Sequence, residues 1–133
     1  MILVDTNVLV AYWNIRDSCH DRAVALVNRI SQGVYGPAFI TDYVFDEAVT
    51  VCSIRTSQQD AKQFGDALLQ SLRIAKITEI IFLDSWAIYK KHPRFSFTDC
   101  TNLSVMDELS IKTITTFDKE FKKIKNISVI DSV

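Results

Sequence analysis

The chain opens Met1-Ile2-Leu3-Val4-Asp5-Thr6-Asn7, an apolar run that stops at an acid and is followed by two small polar residues. A run this short and this apolar reads as a buried strand. A carboxylate at its carboxyl end stands where ligand crevices form in open α/β sheets. Asp, Thr and Asn are also good helix N-caps, so Asp5 has two readings, a helix cap or a functional acid. Three further acids in similar settings, Glu47, Asp99 and Asp118, favour the functional reading.

The strand-then-helix pattern recurs. Val8 to Tyr12 begin a helix that ends near Asn14. Between Cys19 and Gln32, Ala23, Val24, Val27 and Ile30 recur at helical spacing, and Gly33 closes the segment. Gly36-Pro37 marks a turn before a second strand, Ala38 to Ile40. Thr41 or Asp42 caps a helix to about Arg55. Residues three and four apart share a helix face, so Glu47 lies with Val44, Ala48 and Val51 on the apolar side, and Asp46 turns towards water. Ser57 starts a helix to about Arg73, with Phe64, Leu68 and Leu72 as an apolar stripe that serves either the core or a subunit contact. Ile77 to Leu83 reads as a third strand, with Asp84 capping the helix that Pro93 stops. Thr98 is the expected cap of the next helix, placing Asp99 in its first turn and its end near Leu109-Ser110. Ile111 to Thr115 and Ile127 to Ile130 read as strands, with a basic helical turn, Lys119 to Lys123, between them.

This alternation predicts an α/β fold, with a mainly parallel sheet and helices on both faces. In such a sheet Asp5, Asp118 and the acids on the following helices can meet at one edge. The 133 residues suit a single domain, residues 1–133, and at 48% hydrophobic the chain can build a core without disulfides. The odd count of cysteines (Cys19, Cys52, Cys100) has no zinc spacing and reads as reduced thiols in a cytoplasmic protein, with Cys100 expected to be buried. The start of the chain lacks the charged and apolar regions of a signal peptide, and no apolar run is long enough to cross a membrane. A net charge of -1 gives no global positive field, yet cations held by clustered acids would offset their repulsion of nucleic acid.

Several acids converging in a partly buried crevice repel one another unless their pKa values shift or cations bind. Oxygen-only ligand sets suit Mg²⁺ or Mn²⁺, and the chemistry that follows is phosphodiester hydrolysis. Thr6, Asn7, Thr115 and Thr116 are small hydrogen-bonding residues beside the acids, able to orient ligands or to cap helices.

Asp5-Thr6-Asn7, Thr41-Asp42-Tyr43-Val44-Phe45-Asp46-Glu47, Phe97-Thr98-Asp99 and Thr115-Thr116-Phe117-Asp118-Lys119-Glu120-Phe121 together resemble the PIN-domain ribonucleases, in order and over essentially the whole chain. The likeness extends to the toxin subunits of VapBC-type toxin–antitoxin pairs. The resemblance implies a three-layer α/β/α sandwich and an Mg²⁺- or Mn²⁺-dependent endoribonuclease. It implies Asp5, Glu47, Asp99 and Asp118 as its metal-binding, catalytic acids, with Thr6, Asn7 and Thr116 as polar neighbours of the site. It further implies an RNA substrate, a cognate antitoxin and a homodimer, for which the Phe64–Leu68–Leu72 stripe is a contact candidate.

Two basic clusters, Lys90, Lys91 and Arg94 and then Lys119, Lys122, Lys123 and Lys125, offer phosphate contacts or are plain solvated faces. His20 and His92 fit no catalytic constellation. One rival is another Mg²⁺-dependent phosphoryl-transfer enzyme with an aspartate nucleophile, which would want a second acid two residues on, where Asn7 stands. The other is a non-catalytic binding module on the same fold. A dinucleotide-binding domain is disfavoured because no Gly-x-Gly-x-x-Gly follows the first strand.

Overall fold

The computed structural model describes all residues, 1–133. Five strands form one sheet: β1 (Ile2–Val4), β2 (Ala38–Thr41), β3 (Arg73–Ala75), β4 (Thr113–Thr115) and β5 (Ser128–Ile130). Their order is β3-β2-β1-β4-β5, and every pairing is parallel. The chain builds outward from β1 through β2 to β3, then crosses back to place β4 on the other side of β1. The reversal makes the carboxyl end of β1 and β4 the switch point, where open parallel sheets form their crevice.

Helices α1 (Thr6–Trp13), α2 (His20–Ser31), α3 (Asp42–Arg55) and α4 (Gln58–Ser71) cover one face, with α5 (Glu79–Lys91) and α6 (Phe97–Glu108) on the other. Alternate strand residues point to opposite faces. Val4 and Ile40 therefore enter the core with Val8, Leu26, Val44 and Phe64, while Leu3 and Ile114 enter the core with Val105, Met106 and Phe121. The expected three-layer α/β/α sandwich is thus present. Gly33 takes φ 75° just beyond α2, the left-handed position that commonly ends a helix.

Five expectations are corrected. Ile77 to Leu83 is not a strand: the third strand is Arg73–Ala75, and α5 already runs from Glu79. Ile77 N–H donates to Asp42 Oδ1 at 2.9 Å and Thr78 Oγ accepts from Ile81 N–H, so the chain turns into a helix there. Asp84 consequently sits exposed inside α5 and caps nothing. Leu72 is extended (φ -122°, ψ 151°), so α4 stops at Ser71 and Arg73 already belongs to β3. Ser96, two residues before the expected Thr98, caps α6. Finally, Phe64 is 1% and Leu68 5% exposed, and Phe64 stacks on Trp13 at 5.1 Å, so at these two positions the stripe is core and not a subunit contact, while Leu72 is half-buried.

Candidate active site

Asp5 directly follows β1 and caps α1, so the cap reading of its position holds. Its backbone N–H donates to Thr115 O at 3.0 Å, tying it to the end of β4. The carboxylate is 3% exposed and carries four hydrogen bonds. Thr6 N–H (2.8 Å) and the Asn102 amide (3.1 Å) donate to Oδ1. The Thr116 hydroxyl (2.7 Å) and the Asn7 amide (3.1 Å) donate to Oδ2. These fill the lone-pair sites of an ionised carboxylate and fix its orientation.

Thr116, on the turn after β4, is the hub of this network. It donates to Asp5 and accepts from the Asn7 amide and from Asp118 N–H, both at 3.1 Å. Asn7 Oδ1 in turn accepts from Phe117 N–H at 3.0 Å, closing a clasp between α1 and the loop that carries Asp118. Asp118 caps the 3₁₀ turn Lys119–Lys123 by accepting from Glu120 N–H at 2.9 Å. Asp99 shares a capping box with Ser96: Ser96 N–H donates to Asp99 Oδ2 (2.9 Å), and Asp99 N–H donates to Ser96 Oγ (3.1 Å). Glu47 is half-buried on α3, whereas Asp46 is exposed and accepts from the Thr50 hydroxyl, as their helical faces predicted.

Burial, with the negative charge of Asp99 and Glu47 added to it, pushes the Asp5 carboxyl up from 3.8 to about 7, against the lowering effect of the Thr116 and Thr6 hydrogen bonds. Burial likewise raises Asp99, helped by Asp118 and Glu47 and opposed by Ser96. All four acids therefore share one electrostatic field. None of them takes part in any of the ion pairs, which involve Asp17, Glu120 and Asp131 instead.

The donor set is all hard oxygen with uncompensated charge, which is the chemistry of an Mg²⁺ or Mn²⁺ site. Three of the buried side-chain polar atoms without a partner, Thr6 Oγ1, Thr115 Oγ1 and Asn102 Oδ1, belong to residues adjoining or bonded to Asp5. Each such atom costs about 1–3 kcal/mol. Their concentration around one carboxylate fits a site built for function over stability. As the side chains stand, no three acids converge closely enough to hold an ion, so occupancy requires side-chain rotation.

Asn102 and Ser96 were not singled out from the sequence. Asn102 lies three residues after Asp99, which puts it on the same helix face, but nothing in that spacing announces its bond to Asp5. Lys122 bonds Asp131 at 2.6 Å, and Lys123 and Arg94 both pair with Glu120, so much of the basic charge after Asp118 is internally neutralised. Cys52 and Cys100 are buried, and burial pushes the Cys100 thiol up to about 11, which leaves it inert. His20 bonds Ala11 O at 2.8 Å in a structural role. The apolar recess of about 370 Å³ between α1, α2 and α4 includes none of the acids.

The sequence profile of the PIN domain matches residues 2–127. The chain belongs to the PIN domain family. It is 26% identical over 130 residues to a VapC ribonuclease of Archaeoglobus fulgidus, covering 90% of this chain and 78% of that protein. The fold matches VapC20 of Mycobacterium tuberculosis, a toxin described as cleaving the sarcin–ricin loop, with TM-score 0.82 at 23% identity over 96% of this chain and 97% of that one. It also matches a chain of a toxin–antitoxin complex from Klebsiella pneumoniae, with TM-score 0.70 at 18% identity over 96% of each chain. In this PIN domain no helix is long and apolar enough to cross a membrane.

Proposed function

We propose that this PIN domain is a metal-dependent endoribonuclease, the toxin of a toxin–antitoxin pair, acting in the cytoplasm. The observation that carries the reading is the set of four acids, Asp5, Glu47, Asp99 and Asp118, in one field with no protein cation to balance them. These acids would hold Mg²⁺ or Mn²⁺, which when bound acidifies water and offsets charge at the scissile phosphate.

The chain's own groups have distinct parts in this scheme. Asp5 is the fixed ligand, because its donors leave it no freedom to turn. Asp5 would hold a cation only by giving up one of its four donors. The Asn7 amide is best placed to yield, because it already divides its bonds between Asp5 and Thr116. Glu47 has a long, half-exposed side chain and is the acid free to rotate towards substrate and accept a proton. Lys90, Lys91 and Lys119 are exposed and outside any ion pair, which suits them to the RNA backbone.

Likeness to the VapC ribonuclease and to toxin–antitoxin complexes supports an RNA substrate and an antitoxin partner. For the homodimer we assign α5, where Ile80, Leu83 and Trp86 are 70%, 58% and 48% exposed and Trp86 stacks on Tyr89 at 5.4 Å. An uncovered apolar face of that kind marks a contact surface.

The test is cleavage of a panel of structured RNAs with Mg²⁺, with Mn²⁺ and with excess chelator, beside Asp5→Asn. Metal-dependent cuts that vanish in a folded Asp5→Asn variant are expected. Undiminished cutting by that variant would overturn the assignment, and a phosphorylated Asp5 after turnover would favour the aspartate-nucleophile rival.

A further inference from the structure

Asn102 is wholly buried on α6, three residues beyond Asp99. Its amide donates to Asp5 Oδ1 at 3.1 Å, while its own carbonyl oxygen is buried with no donor. A buried amide satisfied on one side only is a poor core residue, since an apolar side chain of similar size would avoid the cost of the orphaned oxygen. The amide's one bond runs from the helix that carries Asp99 to the strand end that carries Asp5. Those two acids come from elements that meet across the sheet's edge, and Asp99 is otherwise anchored only within its own helix, through Ser96.

We infer that Asn102 is a positioning residue, whose bond to Asp5 sets the placement of α6, and hence of Asp99, against the end of β1. This inference rests on the nuclease reading of the acids. Under it, Asn102 supplies no atom to the reaction. It holds Asp5 from the Oδ1 side, as Thr116 and Asn7 do from the Oδ2 side, and so keeps the spacing of two acids that must share a cation. Partners of this kind typically contribute about 10- to 100-fold in metal affinity or activity.

The test uses the full chain with Asn102→Leu, close in volume and free of polar atoms, Asn102→Ala as a second variant, and Asp5→Asn alongside. Three quantities are measured: Mn²⁺ affinity by calorimetry, kcat and KM on a cleaved RNA, and the thermal midpoint without metal. Expected for Asn102→Leu are an Mn²⁺ affinity and a kcat both lower by about 10- to 100-fold, an unchanged KM, and a thermal midpoint no lower than wild type. Wild-type Mn²⁺ affinity and kcat in both Asn102 variants, with Asp5→Asn inactive, would overturn the inference and leave the nuclease reading standing. Loss of kcat only in proportion to unfolded protein, with unchanged Mn²⁺ affinity, would also overturn it, because Asn102 would then be structural. Continued cutting by Asp5→Asn would instead bring down the nuclease reading and this inference with it.

Discussion

Without metal, this protein should lose stability as pH rises from about 4 to about 7, through Asp5. Burial holds the folded carboxyl at about 7, against 3.8 for an exposed one. Between those values the folded state keeps a proton that the unfolded chain has released. Stability then falls with rising pH, by up to 1.36 kcal/mol per unit. A shift of about three units is therefore worth roughly 4 kcal/mol, a large part of the 5–15 kcal/mol that usually holds a domain together. For a domain of this size that is a fall of roughly 15 °C in Tm. Asp99 is raised too and acts in the same sense. Hydrogen bonds from Lys123 and Lys122 lower Glu120 and Asp131. Both of those surface acids are largely ionised, folded or unfolded, above pH 5, so their opposite effect is confined to the acid end and lies below the pH 5 to 8 range of the assay. The assay is urea unfolding of chelator-treated protein at pH 5, 6, 7 and 8, with a constant m-value as the check on two-state behaviour. Asp5→Asn, which does not titrate, should flatten the profile. A wild-type profile that rises from pH 5 to 7, or one that Asp5→Asn merely parallels, would refute the argument.

Two substitutions separate core from contact surface. Phe64→Ala should cost about 3–5 kcal/mol of stability without changing the oligomeric state, read by urea unfolding and light scattering, because Phe64 is buried against Trp13. Leu83→Asp should leave the fold intact and convert the expected dimer to monomer, because Leu83 is exposed on α5. A variant that stays dimeric would remove α5 from the interface.

The sheet was legible at its centre and at one edge, β5, and not at the other. β1, β2 and β4 lie between neighbours, and their covered residues make apolar or β-branched runs that stand out. β3 is an edge strand, Arg73-Ile74-Ala75, in which only Ala75 is buried, so no apolar run announces it. The run that did stand out nearby, Ile77 to Leu83, leads into α5, where Ile81 is buried but Ile80, Phe82 and Leu83 are exposed. Reading apolar as buried fails where an apolar helix face is left exposed. The acids were legible because each sits at a strand end or in a helix's first turns, and facial periodicity alone chose Glu47 over Asp46. What supports them was only half legible. Thr6, Asn7 and Thr116 adjoin acids in sequence, whereas Asn102 reaches Asp5 across 97 positions, a contact only the folded chain makes.

The most direct test of the four-acid account is calorimetric titration of Mn²⁺ into the wild-type protein and into Asp5→Asn, Glu47→Gln, Asp99→Asn and Asp118→Asn. The account predicts saturable binding by the wild type, weakened about 10-fold or more in each folded variant. No binding by the wild type, or binding that all four variants retain in full, would contradict it.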